Sequence, residues 1–194
     1  MQNSLTKEQG EQLLRLARQT IGEKFGIKTS AKGDAPDAAL KAEGGTFVTL
    51  KLKGQLRGCI GNLEPVGSIY DSIRRNALNA AFQDGRFPAL TAPELAEVLI
   101  EVSILTKPQP LEYRDGQDLV AKLRPGIDGI ILRQGRCCAT FLPQVWDQLP
   151  RAADFLGHLC QKAGLPPTAW QSSHPEIETY QVQYFEEGKT DEGN

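Results

Sequence analysis

Residues Phe47-Val48-Thr49-Leu50-Lys51-Leu52 are followed by Lys53-Gly54 and then by Gln55-Leu56-Arg57-Gly58-Cys59-Ile60-Gly61. In the first run Val48, Leu50 and Leu52 alternate with Phe47, Thr49 and Lys51, the period of two that marks a strand with one face buried. Lys-Gly predicts a tight turn, so the second run returns as the antiparallel partner. A second hairpin is expected from Ile130 to Arg133 and Arg136 to Phe141 over Gln134-Gly135. Val98 to Leu105 and Ile177 to Phe185 read as two further strands, the second a long one. Hairpins without a regular βαβ rhythm predict an α+β fold, an antiparallel or mixed sheet packed by helices.

The helices carry their own start and stop signals. Thr6 and Gln9 form a capping box ahead of Leu13, Leu14, Ala17 and Ile21, predicting an amphipathic helix from 7 to about 24. Residues 26–45 are rich in Gly, Ala, Lys and Asp and are expected to be a mobile surface connection, with one helical turn between Asp37 and Ala42. Further helices are expected at 67–82, at 115–123, as a short one at 143–149, and at 154–163, where Gly164 and Pro166 end the last. Thr91-Ala92-Pro93-Glu94 is a second capping box leading into a short turn. The polar tail 186–194 is expected to be disordered. The organisation predicted is one domain over 1–185, made of two packed subdomains.

With 194 residues, 40% of them hydrophobic, and a net charge of −2, the chain can build its core without metal or disulfide. No basic cluster marks a nucleic-acid surface. No run is long and apolar enough to span a bilayer, and Met1 to Gln12 lack the pattern of a secretory signal, so the cytoplasm is the expected compartment. Cys59, Cys137, Cys138 and Cys160 contain no Cys-x-x-Cys pair and are expected to be free thiols.

The chemistry centres on Cys59. Glycine at 58 and at 61 allows a tight turn or a close approach, and the amides there can hold an anion. Two residues apart on a strand, Arg57 and Cys59 share a side, so the guanidinium can favour the thiolate. The alternative is that Cys59 is a small buried hydrophobe. His158 lies on the polar side of its helix, and His174 precedes Pro175 in a loop, so neither is expected to serve the thiol. Glu101, between Leu99 and Ser103 on one strand face, is either a general base or the ion-pair partner of Arg57. Arg86, in Gly85-Arg86-Phe87-Pro88, is either an anion anchor or a stem covering Phe87. Nothing predicts a metal centre, a phosphate-binding loop or a cofactor.

Several stretches together resemble the AMMECR family, whose prokaryotic members are called AmmeMemoRadiSam system protein A. They are Thr46 to Leu50, Leu56-Arg57-Gly58-Cys59-Ile60-Gly61, Asp84-Gly85-Arg86-Phe87-Pro88, Glu101 to Leu105, Gly126 to Ile130, Ala139 to Trp146 and Lys162 to Leu165. The resemblance implies an α+β unit of two subdomains with the hexapeptide lining a cleft. It implies a site at Arg57, Cys59 and Glu101 with Arg86 beside it, and action with Memo-like and radical S-adenosylmethionine proteins. It implies no reaction. Two functions follow as expectations: a thiol-dependent enzyme or enzyme component, or a non-catalytic module that binds a small ligand or a protein.

Overall fold

The structure, a computed structural model, describes residues 4–27 and 35–188. It is an α+β fold with two four-stranded sheets, and the chain divides into two compact units. The first comprises residues 1–105 and 183–194, the second residues 106–182.

The first unit begins with α1 (Lys7–Lys24), capped as its sequence demands. Gln9 N–H donates to Thr6 Oγ1 at 3.3 Å, and Thr6 N–H donates to Gln9 Oε1 at 2.7 Å. The rest of the 26–45 connection holds α2 (Ala38–Lys41), the expected helical turn; residues 28–34 of it lie outside the described residues. Then come β1 (Gly45–Leu52), β2 (Gln55–Asn62), α3 (Ile69–Phe82), α4 (Ala92–Glu97) and β3 (Val98–Leu105). The turn between β1 and β2 places both Lys53 (φ 52°) and Gly54 (φ 77°) in the left-handed region, the primed geometry whose twist suits a two-residue hairpin.

Val48, Leu50, Ile100 and Val102 stand on the sheet face toward α1 and α3, whose Leu13, Ala17, Ile21, Ile73 and Ala77 complete this core. Asn76 pins α3 to the sheet by donating to the Thr46 carbonyl and hydroxyl at 3.1 and 3.0 Å.

The second unit contains β4 (Gln109–Pro110), α5 (Gly116–Lys122), β5 (Gly129–Gln134) and β6 (Cys137–Phe141). A 3-10 turn (Pro143–Asp147), α6 (Ala152–Lys162), α7 (Ala169–Ser172) and β7 (Glu176–Tyr180) follow. Its sheet runs β4-β7-β5-β6, and its core is built on Ile130, Leu132, Phe155, Leu156, Trp146 and Trp170. Trp146 stacks on Phe155 at 3.8 Å and donates its indole N–H to the Asp128 carbonyl at 2.7 Å.

The long strand expected from Ile177 to Phe185 is two strands. Chain pairing with β5 ends at Tyr180, and β8 (Val182–Glu186) joins the other sheet, giving the order β2-β1-β3-β8. Gln181 marks the break: its N–H goes to Thr106 Oγ1, and its carbonyl takes the Thr106 N–H, both at 2.9 Å. An apolar alternation carries no record of which sheet each residue joins. The first residues of the expected tail are ordered. Glu186 ends β8, and Glu187 is bound through its carboxylate by Arg18 and by Ile100 N–H; residues 189–194 lie outside the described residues.

Candidate functional site

The site is the face of the first sheet that does not meet α1 and α3. β1 is central, and its register sets three cross-strand rows. Phe47 stands opposite Gly61 and Ser103, Thr49 opposite Cys59 and Glu101, and Lys51 opposite Leu56 and Leu99. Directly opposite residues that carry side chains lie about 5 Å apart at their Cβ atoms, within reach of one another. In the middle row Thr49 Oγ1 donates to Cys59 Sγ at 3.3 Å. In the next, Lys51 Nζ donates to Glu101 Oε2 at 2.9 Å and to Glu186 Oε1 at 2.7 Å. Burial pulls the Lys51 ammonium down, but the hydrogen bonds to Glu186 and Glu101 outweigh it and its pKa lies above the ordinary lysine value.

Arg57 does not share the side of Cys59. The register slips between Leu50 and Lys51: Gly58 faces Leu50, Leu56 faces Lys51, and Arg57 is the extra residue of a β-bulge. The bulge breaks the period of two and turns the guanidinium onto residues 88–94. There Arg57 Nε donates to Glu94 Oε1 at 2.9 Å, Nη2 to Glu94 Oε2 at 3.2 Å, and the two Nη groups to the carbonyls of Pro88 and Ala89. The Arg57 hydrogen bond, with those from Thr91, holds the Glu94 carboxyl at about 2. The expected partners of both charges are therefore replaced: Glu101 takes Lys51, and Arg57 takes Glu94. These hydrogen bonds donated by Arg57 satisfy a residue that is 9% exposed, so it serves the frame of the site.

The cation at Cys59 is Arg86. β2 is an edge strand, and the outward peptide groups of Cys59 are paired by side chains. Cys59 N–H donates to Asp84 Oδ2 at 2.9 Å, and Arg86 Nη2 donates to the Cys59 carbonyl at 3.2 Å. Asp84 in turn grips Arg86 through Nε at 2.9 Å and Nη2 at 2.7 Å. These bonds, the Arg86 guanidinium first and the Cys59 amide after it, hold the Asp84 carboxyl far below the usual carboxylate range against the opposing effect of burial. Arg86 also lies over the Phe87 ring, its guanidinium carbon 5.5 Å from the centroid, as the expected cover of that ring requires.

The two glycines are explained by packing. A Cβ on Gly58 would stand 2.2 Å from the Ala80 carbonyl oxygen of α3, and one on Gly61 would stand 2.2 Å from the Phe47 ring. Backbone and ring press where side chains would otherwise be. The Cys59 amide between them is already given to Asp84.

Cys137 is half-buried, Cys138 exposed and Cys160 buried, where loss of solvent raises its thiol pKa. His158 is exposed on α6. His174 adopts φ 47°, stacks on Tyr113 at 4.2 Å and makes a 3.0 Å hydrogen bond to the Tyr113 carbonyl, the role of a turn residue. Among the described residues no group of three or more His, Cys, Asp or Glu is arranged to hold a metal, and no helix is long and apolar enough to cross a membrane. Thr49, Lys51, Asp84, Glu94 and Glu186 were not singled out from sequence. Thr49 and Lys51 are the polar half of an alternating strand, and Asp84 sits two residues before Arg86, so those three had a local signal. Glu94 had the Thr91 capping box, which marks a helix start and not a partner for Arg57; Glu186 had no local signal.

These features define an α+β protein whose candidate site is an edge-strand cysteine on the sheet face away from α1 and α3, braced by the segment that follows α3. Residues 14–185 match the AMMECR1 family, and the chain belongs to it. A protein of Methanothermobacter thermautotrophicus is 38% identical over 189 residues, covering 94% of this chain and 96% of that protein. Protein MK0488 of Methanopyrus kandleri is 40% identical over 195 residues, covering 96% and 92%. The crystal structure of the uncharacterized protein PH0010 from Pyrococcus horikoshii superposes with a TM-score of 0.81 at 33% identity, over 95% of this chain and 94% of that one.

Proposed function

We propose that the protein acts through Cys59 as a thiol-dependent enzyme or enzyme component, with Glu101 as the carboxylate that handles protons. The observation that supports this most directly is the row Cys59–Thr49–Glu101, in which one hydroxyl stands opposite both the thiol and the carboxylate and donates to the sulfur. Lys51 orients Glu101, Arg57 and Glu94 hold the bulge, Gly58 and Gly61 allow α3 and Phe47 to close on β2, and Arg86 is the binding cation. The four free cysteines suit a reducing, cytoplasmic setting. Memo-like and radical S-adenosylmethionine proteins belong to this reading as working partners. It is tested by alkylating the native protein with iodoacetamide at pH 7 and reading each cysteine by mass spectrometry. Cys59 is expected to react faster than N-acetylcysteinamide, and reaction no faster than that small thiol would remove the nucleophile from the proposal.

A second reading, a non-catalytic binding module on the same face, is favoured by Leu56 and Leu99. They flank Lys51 and are 43% and 44% exposed. Under it, Cys59→Ser keeps partner binding in pull-downs and Leu99→Glu abolishes it; under the first reading Cys59→Ser abolishes activity.

A further inference from the structure

Among the described residues, some of the Arg86 donors have no partner. Asp84 takes its Nε and one Nη2 hydrogen, and the Cys59 carbonyl takes the other. Among the described residues Nη1 has no hydrogen-bond partner, and the side chain is 57% exposed. The fork is nonetheless fixed, because a bidentate carboxylate and a carbonyl on the neighbouring strand leave it little rotational freedom. A guanidinium held in place loses less entropy on donating to an oxyanion than a free arginine does. Asp84 neutralises the net charge, so attraction would come from a short, charge-assisted hydrogen bond from Nη1 rather than from a long-range field. Lys51 is a poor competing position, since two carboxylates, Glu101 and Glu186, already stand on its ammonium and would repel an anion.

We infer that Arg86 Nη1 is an anion-binding position beside Cys59, and that the electrophile taken by the thiol carries a carboxylate or phosphate group. The inference rests on the thiol reading above and adds the class of substrate. Asp84 is then a positioning residue. It aims Arg86, and it holds the peptide of the residue that reacts.

Iodoacetate and iodoacetamide test it, because they differ at the group Arg86 would hold. In both reactions the Cys59 thiolate attacks the methylene carbon, a C–S bond forms, the C–I bond breaks, iodide leaves and the thiol proton passes to solvent. The ratio of the two rates at the Cys59 peptide is expected to exceed that of N-acetylcysteinamide by about threefold or more, the effect of one charge-assisted hydrogen bond at an exposed site. Arg86→Gln brings the ratio down to the small-thiol value, and Arg86→Lys, which keeps the charge without the fork, recovers only part of it. Should either variant misfold, competition on the unaltered protein decides. At constant ionic strength, acetate slowing iodoacetate but not iodoacetamide supports a carboxylate ligand, and phosphate doing so supports a phosphate ligand. Cys59 reacting with both reagents at a ratio unaffected by Arg86→Gln and by either anion overturns the anion position and leaves the thiol reading standing. Cys59 reacting with neither reagent overturns both.

Discussion

Replacing Glu94 by Gln tests whether the Arg57 bulge is held by charge. The substitution keeps size and removes the counter-charge from an arginine side chain that is 11% exposed. Three groups lose a carboxylate acceptor: Arg57 through Nε and Nη2, Thr91 N–H and Thr91 Oγ1. The Pro88 and Ala89 carbonyls remain, so Arg57 is not stripped of every partner. The Glu94 carboxyl falls from 4.5 to about 2, which bounds its contribution at roughly 3 kcal/mol. With 27% of the Glu94 side chain open to solvent, screening brings the expected loss to about 2 kcal/mol. The group has a depressed folded pKa, so its stabilisation is complete above 4.5 and is lost as pH falls toward 2. Urea unfolding should be followed by far-UV circular dichroism, because Trp146 and Trp170 both lie in the second unit and report little on this one. The difference between wild type and Glu94→Gln should be about 2 kcal/mol at pH 7 and shrink steadily between pH 5 and 3. A difference below about 0.5 kcal/mol at pH 7, or one that does not change with pH, would refute an electrostatic hold on the bulge.

Two further substitutions probe the hairpin. Gly58→Ala puts a methyl group 2.2 Å from a helix carbonyl that cannot swing aside, and the expected cost is about 2–3 kcal/mol of stability in thermal or urea unfolding. A loss under 0.5 kcal/mol would mean that α3 yields freely at Ala80. Lys53 occupies a left-handed position better suited to Asn, and its ion pair with Glu97 at 3.8 Å is between exposed groups. Lys53→Asn is therefore expected to raise stability by roughly 0.5–1 kcal/mol, measured as a higher melting temperature with unchanged circular dichroism.

The relation between sequence and fold can be read from the elements themselves. The Thr6–Gln9 cap, the Lys53-Gly54 turn and the alternation of Val48, Leu50 and Leu52 are local properties, and each is legible in the sequence alone. The break at Gln181 was not, because Ile177 to Phe185 has strand character throughout and only pairing distinguishes the two sheets. The bulge at Arg57 was also hidden. A period-of-two reading assumes an unbroken ladder, and one extra residue reverses every side assignment beyond it.

By itself the sequence determined the α+β class, the hairpin that carries Cys59, the family, and the thiol as the centre of interest. Those follow from local periodicity, turn chemistry and a distinctive hexapeptide, none of which needs distant residues. The tertiary structure alone decided which charges meet. It sent Arg57 to Glu94 and Glu101 to Lys51, and it placed Arg86 with Asp84 on the peptide of Cys59. Ion pairs form between side chains separated by 2 residues at Arg86 and by 135 at Lys51–Glu186, and the energy of a pair depends on distance and burial rather than on spacing along the chain.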